Sequence, residues 1–152
     1  MNIFSYFRPV IVATLSPVWG HSIAAGPLAA FRDVNRLVVV SLPQGRAAEK
    51  VAAAWFLHRV KIDERDLKII DASEGAQRVA TGVRLSPEQI IALRQQFKLA
   101  AGELRPVFIL VGKDGGEKAR QDGTLDLENW FALIDQMPTR RQEIQNQRKK
   151  SD

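Results

Sequence analysis

The stretch 105–118, Arg-Pro-Val-Phe-Ile-Leu-Val-Gly-Lys-Asp-Gly-Gly-Glu-Lys, restricts the fold more than any other part of the chain. Val107–Val111 is a short apolar run rich in β-branched residues with turn formers at both ends, which predicts a strand buried on both faces. Pro106 lacks the N–H that a ladder needs and belongs at the entry to that strand. Gly112-Lys113-Asp114-Gly115-Gly116 follows, and Asp-Gly is the favoured centre of a type I′ hairpin turn, where both residues need positive φ. The charged segment 117–120 then predicts a return strand at a sheet edge, where lysine discourages pairing with another chain. A phosphate loop is the competing reading of Lys-Asp-Gly-Gly. It fails on spacing, because GxxxxGK[ST] is absent and a charged strand follows instead of a helix N-terminus.

The remaining elements assemble around this hairpin. Leu37–Leu42 reads as an almost unbroken apolar strand, ended by Pro43-Gln44-Gly45. In 46–58, Val51, Ala54, Trp55 and His58 recur at helical spacing, and the helix has room to run towards Asp63. Leu67-Lys68-Ile69-Ile70-Asp71 predicts a third strand, whereas 72–85 reads equally as loop or as a short extra strand. Ser86-Pro87-Glu88-Gln89 is a capping box with proline at the first helical position, opening a helix that Gly102 is expected to end. Asp126 caps the last helix, whose Leu127, Trp130, Phe131 and Ile134 form an apolar stripe; Pro138 is expected to stop it. The order is β-α-β-α-β-β-α: a mixed α/β sheet with helices on both faces, its first three strands parallel through helical crossovers.

Composition narrows the chemistry. The 152 residues are 45% hydrophobic and 26% charged, which fits one globular domain with a real core. Of the net charge of +5, +3 belongs to 139–152, where five arginines and lysines face Glu143 and Asp152; this segment reads as a basic polar tail, partly disordered. The rest is nearly balanced, with no nucleic-acid motif, so no specific nucleic acid is expected as a partner. The absence of cysteine excludes disulfides, zinc thiolate sites and thiol catalysis. His21 and His58 lack ligand-spaced neighbours, so no metal and no cofactor are expected, and His58 reads as a surface or capping residue.

The N-terminus carries Arg8, then a moderately apolar stretch, then Ser22-Ile23-Ala24. This predicts a signal peptide over 1–24, cleaved after Ala24 or Ala25, and hence a periplasmic or secreted protein. Pro9, Pro17, His21 and Pro27 argue against a spanning helix, so no stable membrane span is expected after processing.

The β-α-β-α-β-β-α order resembles the thioredoxin-like fold, here over 31–138. The resemblance implies that Pro106 is a cis-proline facing the loop after the first strand. The fold's Cys-x-x-Cys would fall near Pro43-Gln44-Gly45-Arg46, which has no cysteine, so thioredoxin and peroxiredoxin chemistry is not implied. Four blocks carry a closer likeness: Arg36-Leu37-Val38-Val39-Val40, Glu64-Arg65-Asp66-Leu67, Val111 to Gly116, and Ile134-Asp135-Gln136-Met137-Pro138-Thr139-Arg140. They resemble a family classified as a domain of unknown function, found in exported bacterial proteins and related to domains of animal extracellular-matrix and sushi-repeat proteins. That family implies a fold and an extracytoplasmic setting, with no settled activity.

The functional reading is a non-catalytic, cysteine-free binding or structural module of the cell envelope, its partner a protein or another envelope component. Its binding residues would be Gln44, Arg46, Arg105 and Pro106, at the carboxyl ends of the strands. Gly112, Lys113, Asp114, Gly115, Gly116, Asp135, Met137 and Pro138 read as structural, and no catalytic residue is assigned. Two alternatives stand beside this: a thiol-independent enzyme built on Lys113-Asp114, which needs a shifted pKa, and anionic-surface binding by the basic tail.

Overall fold

The computed structural model describes residues 26–43, 47–74, 79 and 83–151. Strands β1 (Arg36–Ser41), β2 (Leu67–Asp71), β3 (Val107–Val111) and β4 (Glu117–Asp122) form one sheet in the order β2-β1-β3-β4. Helices α1 (Ala47–Leu57) and α2 (Arg59–Asp63) join β1 to β2, α3 (Pro87–Gln96) lies between β2 and β3, and α4 (Leu127–Asp135) and α5 (Pro138–Ser151) follow β4.

Strand alternation divides the core in two, because successive side chains of a strand point to opposite faces. Val38, Val40, Phe108 and Leu110 face Val51 and Trp55 of α1, Ile62 of α2, and Trp130, Phe131 and Ile134 of α4. Leu37, Val39, Ile109 and Val111 face Leu93 of α3 together with Phe97, Leu99 and Leu28. Helices therefore cover both faces, and the apolar run of β1 is explained by double-sided burial.

The strand directions differ from the sequence expectation. β1 and β2 are parallel, but β3 runs antiparallel to β1, with Ser41 opposite Val107 and Leu37 opposite Val111. The cause is the path of α3. Its Arg94 reaches the end of the sheet where β1 and β2 finish, donating to Ser41 Oγ at 3.2 Å and to the Ala72 carbonyl at 2.6 Å. The chain leaving α3 thus enters β3 from that end. The segment 72–85, open between loop and strand, contributes an isolated parallel bridge from Val83 to Ile70.

The predicted capping box is present. Gln89 N–H donates to Ser86 Oγ at 3.2 Å and Ser86 N–H donates to Gln89 Oε1 at 2.9 Å, with Pro87 opening α3. Asp126 likewise caps α4 by accepting from Asn129 N–H at 3.0 Å. The far end of α3 comes earlier than Gly102. Lys98 takes a φ of 51°, and the N–H groups of Lys98 and Leu99 donate to the carbonyls of Gln95 and Arg94. This is a Schellman ending with lysine in the position glycine usually holds.

Two further expectations are corrected. The 112–116 turn is not type I′, because only Gly115 (φ 79°) has positive φ there and Asp114 does not. Gly115 N–H donates to Gly112 O and Gly112 N–H to Gly116 O, both at 2.9 Å, as in a three-residue hairpin loop with a left-handed third residue. The segment after Pro138 is helical. Proline suits a first helical position as well as a stop, and here it opens α5 directly after α4.

Candidate functional site

The two ends of the sheet differ in chemistry. At the end where β1 finishes, Pro43 and Pro106 meet across a groove of about 420 Å³. Ala47, Lys50, Val51 and Ala54 of α1 form one wall, Gly123, Thr124 and Leu125 the other, and Phe108 reaches the floor. Helix α1 presents Ala47 and Ala54 here because its Trp55 turns into the core, while the buried Val51 borders both core and groove. Among the described residues of the lining, Lys50 is the one that carries a charge.

Of the binding residues expected from sequence, Pro106 lies in this groove. Its carbonyl accepts from Gly123 N–H at 2.7 Å, closing the base of the β3–β4 pair. The cis-proline expectation is overturned: no peptide bond is cis among the described residues, so Arg105–Pro106 is trans. Arg105 is exposed on the approach to β3. Gln44 and Arg46 lie outside the described residues, as do His21 and the expected signal peptide.

The opposite end gathers all four sequence blocks into a network of charge. Arg36, at the start of β1, is wholly buried. Its guanidinium donates to both carboxylate oxygens of Glu143 at 3.1 Å, to Thr139 Oγ1 at 3.1 Å and to the Arg65 carbonyl at 3.1 Å. Lys113, on the hairpin turn, bridges Glu143 and Asp66 at 2.8 Å each. Arg65 pairs with Asp135 at 2.5 Å, and Arg140, also buried, lies 3.5 Å from both Asp135 and Glu143. Burial alone would raise the Glu143 carboxyl, but hydrogen bonds from Arg36 and Lys113, with their charges, hold it below the usual carboxylate range. Burial opposes the Lys113 charge too, yet its bonds to Asp66 and Glu143 raise its pKa above the ordinary value.

This network bears on the enzyme alternative. Lys113 is committed to two carboxylates, and Asp114 accepts from Lys118 at 2.6 Å and from Gly116 N–H at 3.1 Å. The bond from Lys118 lowers the Asp114 pKa, the wrong direction for a general base near neutrality. Among the described residues no three histidine or carboxylate side chains are grouped to hold a metal, and no helix is long and apolar enough to cross a membrane.

Sequence reasoning did not assign roles to Arg36, Arg65, Asp66, Arg140 and Glu143. The available signal was spacing. Thr139, Arg140 and Glu143 share one face if Pro138 begins a helix, a condition the polar composition of 139–152 obscured.

Residues 27–143 match the family described as domain of unknown function (DUF4174). No curated protein matches the chain. Among solved structures, the reduced 2-Cys peroxiredoxin of Plasmodium vivax superposes with a TM-score of 0.51 at 12% identity, over 80% of this chain and 84% of that one. The bacterioferritin comigratory protein of Xanthomonas campestris gives 0.47 at 16% identity, over 70% and 79%. The reduced N-terminal domain of PilB from N. meningitidis gives 0.48 at 11% identity, over 70% and 84%. At such identities the likeness concerns the fold alone, and the fold is thioredoxin-like.

Proposed function

From the premise that this chain belongs to the DUF4174 family and has a thioredoxin-like fold without cysteine, we propose that it is a non-catalytic binding module of the cell envelope. It acts in the periplasm or outside the cell and holds a protein or another envelope component. The observation that carries the reading is the groove between Pro43 and Pro106. It is concave and mostly apolar in its described lining, with Lys50 to fix orientation, which is the makeup of a binding cleft. It lies beside the carboxyl ends of the parallel strands, where open α/β sheets gather ligands. Export is supported by the small-residue motif at Ser22-Ile23-Ala24 behind an apolar stretch.

The test is capture from native envelope extract with the wild-type chain and with Ala54→Arg, which fills the groove from the α1 wall. Loss of a specific interactor in the variant, with the melting temperature unchanged, supports the reading. Identical capture by both chains sinks it. Mass spectrometry of the protein from its native host tests export separately, and an intact N-terminus would refute cleavage after Ala24 or Ala25.

A further inference from the structure

The charged end of the sheet contains a receptor for a carboxylate, built almost wholly from the body of the domain. Arg36 is anchored by the β1 backbone and by its bond to the Arg65 carbonyl at 3.1 Å. Lys113 is held toward the same point by Asp66 at 2.8 Å. Neither restraint involves α5. The occupant is Glu143 of α5, which meets the Arg36 fork with both oxygens and Lys113 with one. A planar two-pronged arginine contact is the arrangement that selects carboxylates.

Helix α5 docks in an unusual way. Of the residues 138–150 only Arg140 is buried, Glu143 and Ile144 are half-buried, and 145–150 are exposed. Polar contacts dock the helix, from Thr139 and Glu143 to Arg36, from Glu143 to Lys113 and from Arg140 to Asp135, with no apolar stripe like that of α4. Its detachment would expose little apolar surface and would return Arg36 to water instead of leaving it buried without a partner. Elements of this kind open independently of the core.

We propose that Arg36 and Lys113 form a carboxylate-recognition site that α5 fills in cis with Glu143, and that α5 is a detachable latch yielding this site to an acidic peptide of another chain. The site is separate from the groove at the opposite end of the sheet, and the proposal does not depend on that groove's function. An occupant on the same chain has a high local concentration, so the latched protein binds an external peptide weakly.

Two measurements test this. Native-state hydrogen exchange on the full wild-type chain should show amides of α5 opening at least tenfold more often than those of β1 and β3, and more often still in added salt. Exchange of α5 only together with β1 and β3 would overturn the latch. In the second, a labelled peptide of residues 138–151 should bind the full chain carrying Glu143→Ala at least tenfold more tightly than it binds wild type. The same peptide with Glu143→Gln should not bind. Equal binding to both chains, or indifference to the peptide's carboxylate, would overturn the recognition site. Where the Glu143→Ala chain fails to fold, hydrogen exchange on the wild type decides.

Discussion

Arg36, the first residue of β1, and Glu143, in the second turn of α5, are 107 positions apart and meet in a two-pronged ion pair with the arginine wholly buried. The pair ties the centre of the sheet to the last helix. Removing one partner leaves a covered charge unpaired, which costs more than removing both. With α5 held in place Glu143→Ala would cost about 3 kcal/mol, but release of α5 lets water reach Arg36, so the measured loss of unfolding stability should fall below that figure, and Arg36→Met with Glu143→Leu should lose less still. Urea denaturation of the three chains measures the difference.

The same carboxylate sets an acid limit. A group whose pKa falls on folding stabilises the folded state above its unfolded value, and that contribution is lost as pH falls through the folded value. Stability from Glu143 should be fully present above its ordinary value of 4.5 and decline below it. Lys113, raised above 10.5, should contribute below that value and lose its effect as pH rises through its higher folded pKa. In denaturation across pH 2–6, Glu143→Gln should flatten part of the acid slope, the remainder including the lowered Asp114.

The hairpin glycines should not be equivalent. Gly115 has a φ of 79°, and a Cβ there would stand 3.0 Å from Arg32 Nε; Gly116 has no positive φ and its nearest such neighbour is 3.6 Å away. Gly115→Ala should cost about 1–2 kcal/mol, and Gly116→Ala distinctly less. Equal melting temperatures for the two variants would contradict the left-handed assignment.

At the start of α3, Ser86→Ala removes the hydroxyl that accepts from Gln89 N–H. The expected loss is about 1 kcal/mol by thermal or urea unfolding. It should be smaller in a chain already lacking Gln89, because the two side chains satisfy each other's backbone donors.

Legibility followed the range of the interactions. The capping box at Ser86, the Asp126 cap, the apolar runs of β1 and β3 and the charged edge of β4 could be read because neighbouring residues dictate them. Asp114-Gly115 suits a type I′ turn and equally a three-residue loop with one left-handed position, and the chain takes the second. The groove was not legible as such: Pro106 lies in it, but its α1 wall of Ala47, Lys50, Val51 and Ala54 forms only once packing turns Trp55 inward.

The amino-acid sequence by itself determined the four strands and helices α1, α3 and α4, the two-sided burial of the central strands and the absence of thiol chemistry. Each follows from side-chain size, branching, period or composition. Only the tertiary structure decided that β3 runs against β1, because that depends on where α3 delivers the chain. It also decided the state of 138–151, since a polar helix becomes ordered when a distant, buried Arg36 needs its carboxylate. The hairpin 112–116 belongs to both accounts: its glycines shape the turn locally, and its Lys113 closes a network whose other members lie far along the chain.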